Sequence, residues 1–116
     1  MVYVKVNGVA YPASIVGQMV DAEWDRRASK SITLDMDYET ANSTFVSNVA
    51  WSIICEYDPY VDENGEEVTP APEEFDNSDF CVAGDITDHR NGTITVKMGR
   101  LTDLESAYEM MLGGIM

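Results

Sequence analysis

One histidine, two cysteines and seven basic residues are what this chain of 116 has least of, and each scarcity closes off some chemistry. His89, Cys55 and Cys81 cannot supply the four ligands of a structural zinc site. Either thiol, as a nucleophile, would need His89 as its base, and no motif links Cys81 to His89. Two cysteines are also too few for a disulfide framework, so they are expected to be reduced core residues of a cytosolic product, a single bridge being the alternative. Seven Lys and Arg are too sparse to release counterions from DNA or RNA, or to hold an anionic membrane surface. The longest apolar run, VAWSIIC from Val49 to Cys55, is far short of a membrane span. MVYVKVNGV alternates like a strand and lacks the basic, apolar and small-residue order of a signal peptide, so the mature chain is expected to start here. Without secretion, the sequons at Asn42 and Asn91 read as coincidences.

Acid, by contrast, is abundant. Twenty-one Asp and Glu leave a net charge of −14, and the window from Ser31 to His89 holds 15 acids with no Lys or Arg. Such a surface repels polyanions and attracts basic proteins or cations. Two readings follow: a solvated acidic loop that keeps the protein soluble, or a face dedicated to a basic partner. The partner-binding candidates are Glu56, Asp58, Asp62, Glu63, Glu66, Glu67, Glu73, Glu74, Asp76 and Asp79. Length and an ordinary apolar fraction of 45% predict one folded domain over 1–116, with 58–74 as an exposed acidic loop.

Along the chain, Asn7-Gly8 between two alternating segments predicts a hairpin, and Pro12 is expected on an edge or at a bulge. The mixed-charge segment DAEWDRRASK reads as a connection into the strand SITLDMDY, with Ile32, Leu34, Met36 and Tyr38 on one face. A short helix follows, placing Tyr38, Ala41 and Phe45 on one stripe, and then a strand at VAWSIICEY. Three prolines and a run of acids make 58–74 a loop, with a frayed hairpin at Asn64-Gly65. Strand composition returns around Phe80, Val82 and Ile86, where Gly84 marks a bulge or bend. Asn91-Gly92 predicts a second tight turn into TITVKM, with Ile94, Val96 and Met98 inward. Thr102 and Glu105 form a capping box for a helix whose stripe is Leu101, Leu104, Tyr108, Met111 and Leu112, stopped at Gly113-Gly114.

SITLDM and TITVKM nearly repeat, 62 residues apart, each leading into a helix. The pattern predicts a strand–strand–helix unit used twice, packed as pseudo-twofold mates, with convergence on good strand sequence as the alternative. The fold class is therefore α+β, mostly antiparallel sheet with two helices on one face.

No arrangement of residues announces catalysis. General acid–base work needs one carboxylate of a pair shifted by burial or a neighbour, whereas almost all of these lie in polar, loop-like sequence and read as solvated, and His89 in DHRNG reads as a turn residue. Laid on a calcium-binding EF-hand loop with Gly65 at the turn, Asp62 and Asn64 fit, but the first ligand place falls on Tyr60 and the bidentate one on Ala71. Weak cation binding by 58–67 is all that remains, and no metal or cofactor is expected. The function classes left are a structural module that engages copies of itself or neighbouring subunits, through strand edges or through Met110, Met111 and Met116, and an acidic decoy presenting carboxylates where a nucleic-acid enzyme expects phosphates.

The segments RRASKSITLDMDYETA, VAWSI and EEFDNSDFCVAGDITDHRNGTITVKMGRLTDLESAYE resemble small, acidic, uncharacterised proteins encoded by bacteriophages and prophages, in the neighbourhood of tail and baseplate genes. The resemblance implies a phage context, in a bacterial cytoplasm or a virion, and carries no functional residue. That context fits both remaining classes, and the one favoured is a non-enzymatic, protein-binding, virion tail-type assembly component. The alternative is an anti-CRISPR or anti-restriction mimic of nucleic acid that engages a basic nucleic-acid-binding protein.

Overall fold

Asn7 and Gly8 decide the first turn. Both take positive φ, 54° and 79°, as a two-residue type I′ turn requires, and Val6 and Val9 close the ladder between β1 (Val2–Val6) and β2 (Val9–Asp21). The computed structural model describes residues 1–108. Among these the chain continues through β3 (Arg27–Asp35), α1 (Tyr38–Thr44), β4 (Trp51–Cys55), β5 (Tyr60–Val61), β6 (Glu67–Val68), β7 (Glu73–Asp76), β8 (Val82–Asp88), β9 (Thr93–Gly99) and helical residues 103–108, here α2. Seven strands form one antiparallel sheet in the order β7-β4-β1-β2-β3-β9-β8, and β5 pairs with β6 in a sheet of its own. The class is α+β, dominated by antiparallel sheet.

β2 is the joint of the large sheet. Its first residues, through Pro12, pair with β1, and from Ala13 onward it pairs with β3. Pro12 was expected at an edge, yet it sits in a central strand. The alternation from the closing pair Val6 and Val9 turns its missing donor away from β1, to the side where pairing with β3 has not yet begun. An edge exists there locally.

Alternation then stacks apolar side chains in rows across one face: Ile53–Val4–Tyr11, Ala13–Leu34–Ile94 and Ile15–Ile32–Val96–Ile86. Val4, Val6, Ile32, Leu34, Trp51, Ile94, Val96 and Met98 are buried there, together with Ala41 of α1 and Phe45, the residue that caps its C-terminal end. α1 is capped by Asp37, whose carboxylate accepts from Thr40 N–H at 3.4 Å. Tyr38, expected on the same stripe, is half exposed at the first turn. The two near-repeats are each other's ladder partners: Thr33 lies opposite Thr95, their hydroxyls 2.8 Å apart, with Ile32 opposite Val96 and Leu34 opposite Ile94.

The segment DAEWDRRASK is more than a connection. Asp21 ends β2, Asp25 and Arg26 turn the chain with φ of 55° and 61°, and Arg27 already begins β3. Trp24 lies over Gly84 and Gly99, where an added Cβ would come within 2.7 Å of the indole. Lys97 Nζ, 5.9 Å from the centre of that ring, donates at 2.7 Å to the buried Asp21 carboxylate, which also accepts from Ser29 Oγ at 3.0 Å. The expected bulge at Gly84 is present as a register shift between Ala83 and Ile86.

Asn91-Gly92 does not make a two-residue turn. Asp88 pairs with Ile94 across five residues, and the Asn91 side chain accepts from Thr93 N–H while Arg90 and Gly92 take the positive φ values. The capping box forms as expected, with Thr102 N–H donating to Glu105 at 2.9 Å and Glu105 N–H to Thr102 Oγ1 at 3.2 Å. Leu104 and Tyr108, expected on one apolar stripe of the helix, are 81% and 62% exposed. What holds α2 is polar: Glu105 takes both guanidinium nitrogens of the buried Arg27, at 2.9 and 3.2 Å. Met110, Met111, Leu112, Gly113, Gly114 and Met116 lie outside the described residues.

Candidate protein-binding surface

β7 ends one side of the large sheet, and all four of its residues, Glu73 to Asp76, are exposed. Its pairing with β4 sets Phe75 beside Ile53 and Glu74 beside Ile54. The row Val4–Ile53–Phe75 thus carries the core face outward to the edge, where Phe75 stops it at 47% exposure. On the opposite face Glu74 lies 3.5 Å from Lys5 Nζ, an exposed pair that contributes little.

The chain just after β7 is firmly held. Asn77 N–H donates to Trp51 O at 2.8 Å, and the Asn77 amide donates to Phe75 O at 3.0 Å and accepts from Lys30 Nζ. Lys30 in turn stands 4.5 Å over the Phe80 ring, and burial pushes its ammonium pKa down. Trp51 Nε1 donates to Phe80 O at 3.0 Å, and the two rings meet edge to face. Ser78 donates to Asp76 through both hydroxyl and N–H, which holds the Asp76 carboxyl below its usual range. The edge is thereby positioned from one end by the core itself.

At its other end β7 meets the arm. Met1 and Glu56 exchange backbone hydrogen bonds of 2.8 Å, and residues 57–72 then leave the large sheet and fold as the β5–β6 hairpin. Asp62 organises its turn: its Oδ1 accepts from Asn64 and Glu66 N–H, both at 2.9 Å, and Gly65 takes φ 79°. The predicted frayed hairpin is thus a formed one. Because Asp62 is consumed by the turn, it is poorly placed as a cation ligand, and no cluster of three or more potential metal ligands occurs among the described residues. The arm exposes Tyr57, Tyr60 and Val61 among its acids, and partial desolvation together with the Glu73 carboxylate pushes the Tyr57 phenol up.

The ten candidate acids therefore fall into two groups. Asp62, Glu63, Glu66 and Glu67 belong to the hairpin, with Asp58 leading into it; Glu56, Glu73, Glu74 and Asp76 belong to its foot and to β7, with Asp79 just beyond. Sequence reasoning missed the strand itself and the apolar side chains beside the acids. The alternation in EEFD, with Phe75 between acids, was the available signal.

Other chemistry-bearing residues are placed apart or closed in. Cys81 and His89 flank the two ends of β8, and His89 Nε2 is 2.7 Å from Thr95 Oγ1. Cys55 and Cys81 are free thiols. Ser29, beside Asp21 and Lys97, is buried, so its hydroxyl has no path to a substrate. Among the described residues no helix is long and apolar enough to cross a membrane. Comparison with family models, curated proteins and solved structures finds no match for this chain.

Proposed function

We propose that this chain is a non-enzymatic protein-binding module, a phage-encoded structural or assembly component of the virion-tail type, acting in the bacterial cytoplasm or in the particle. The observation that carries this reading is the open, acidic β7 edge, held rigid at Asn77 and continued by an arm that exposes Tyr57, Tyr60 and Val61. Exposed aromatic groups flanking an unpaired strand edge are what a protein partner covers. The resemblance to small acidic phage proteins supplies the setting. The sheet order β2-β3-β9-β8, with a helix after β3 and another after β9, supports reading the near-repeat as an internal duplication.

A second reading, the acidic decoy of a host nuclease, is favoured by one feature. Among the described residues, Lys5 with Glu74 is the sole ion pair made by the ten candidate acids, so the rest present their charge unneutralised. Sedimentation at low and high salt separates the two. A stable oligomer at both supports assembly; a monomer whose partner is lost steeply with salt supports the decoy. Reversing charge at Glu66, Glu67, Glu73 and Glu74 should abolish binding of a basic partner without lowering the melting temperature, and unchanged binding would remove the decoy reading.

A further inference from the structure

We infer that β7 is a docking edge for an extended segment of a foreign partner in which basic and apolar residues alternate, added to the large sheet as an eighth strand. The inference rests on the protein-binding reading above and names the chemistry of the partner.

The backbone comes first. Asn77 N–H points at β4, to Trp51 O, so the two-residue period turns the N–H groups of Phe75 and Glu73 toward β4 as well. Those of Glu74 and Asp76, with their carbonyls, point away from the sheet. Such a row of outward groups templates another strand. The opposite end of the sheet is less open, because Asn48 N–H donates to Cys81 O and Ala83 N–H to Ser47 Oγ along the start of β8.

Side chains then specify the occupant. On the core face, Phe75 ends an apolar row at half exposure, so an added strand would set an apolar residue against it. On the other face, Glu74 and Asp76 line a groove of about 240 Å³ together with Lys5, Asn7, Ser52 and Ser78. Two carboxylates at i and i+2 against one lysine call for basic residues at both flanking positions, giving the pattern basic–apolar–basic. A second copy fits poorly. Two β7 edges paired antiparallel would face Glu74 and Asp76 with carboxylates of their own kind, and each molecule carries −14.

The test uses the full chain with two synthetic peptides, Lys-Val-Lys-Val-Lys and Glu-Val-Glu-Val-Glu, read by residue-resolved amide hydrogen exchange. The basic peptide is expected to bind and to protect the amides of Glu74 and Asp76 alone within β7. Glu74→Pro removes an outward N–H without touching the ladder to β4, and should bind about tenfold more weakly than Glu74→Gln, which removes the same carboxylate but keeps the N–H, the difference being the worth of one backbone hydrogen bond. Should the proline variant unfold, Glu74→Lys with Asp76→Lys is the second arm, expected to transfer preference to the acidic peptide. Binding that protects other amides and ignores both variants, yet is abolished by the fourfold charge reversal, overturns the edge while leaving the protein-binding reading standing. Protection of Glu74 and Asp76 that appears with protein concentration alone overturns the foreign partner in favour of a second copy. Absence of any binding overturns the edge outright.

Discussion

Trp24 shows how one side chain can dictate the identity of two distant ones. Its indole needs the flat floor that Gly84 and Gly99 provide, and a methyl group at either would meet ring atoms at 2.7 Å. Gly84→Ala is expected to cost about 1–3 kcal/mol, as overpacking does. In a Trp24→Ala background the cost should fall to what the Lys97 carbonyl, 3.1 Å from the added Cβ, still imposes, so that a double-mutant cycle by urea unfolding returns coupling of about 1 kcal/mol or more; additive effects would mean that Gly84 serves the bulge alone. Asp21, paired with the lysine that faces the same indole, has its carboxyl held below the usual range first by the Lys97 hydrogen bond, then by Ser29 and Glu23 N–H. Glu105 is lowered likewise by Thr102 N–H and Arg27. A folded pKa below the unfolded one contributes stability that is complete above the ordinary carboxylate range and lost as pH falls through the folded value. The melting temperature should therefore drop on acidification below about pH 4. Asp21→Asn should melt lower at neutral pH and show a smaller acid drop.

Among the elements, what could be read from the chain is what is decided locally. The Asn7-Gly8 turn and the Thr102–Glu105 box each depend on groups within four residues of one another, and each stands as expected. The inward faces of β3 and β9 follow from simple alternation. Long-range partners were hidden. Nothing in VAYPASIVGQMVD says that β2 changes partner at Pro12, or that Lys30 will reach Asn77, 47 residues away. The stripe of α2 misled because helical periodicity records amphipathicity, whereas Arg27 and Glu105 decide how that helix is held. At the candidate surface the acids were visible and the strand was not, since β7 acquires its conformation from β4. The arm differs again: its strands contribute no residue to the core. Replacing residues 59–71 by a short Gly-Ser link should change stability by no more than about 1 kcal/mol, because loop length enters only logarithmically. Trp51→Ala, in the core at the end of β4 away from the arm's foot, should cost about 3–5 kcal/mol. Chemical denaturation of both variants checks the contrast, and a large loss on excising the arm would make it part of the folding unit.

For the whole molecule, charge and shape act together. The radius of gyration is 17.3 Å, against about 13 Å for a compact chain of this length, and the extents of 61 × 38 × 28 Å describe an elongated body. Elongation spreads the −14 charge and eases self-repulsion, but most acids still have no cationic partner among the described residues. Two electrostatic effects oppose each other. Added salt weakens the few ion pairs, and it also screens repulsion among many like charges. The best-buried pair, Asp21 with Lys97, is poorly reached by salt, and the exposed pair of Lys5 with Glu74 has little stability to lose. Repulsion should therefore outweigh attraction. The melting temperature is expected to rise as sodium chloride goes from about 10 mM to about 150 mM, over which the screening length shrinks from about 30 to about 8 Å. Scanning calorimetry at the two concentrations decides the sign. A fall would mean that attraction between partnered charges exceeds repulsion among the unpartnered ones, and the acidic surface would then be an internally balanced part of the fold instead of a charge held out for a partner.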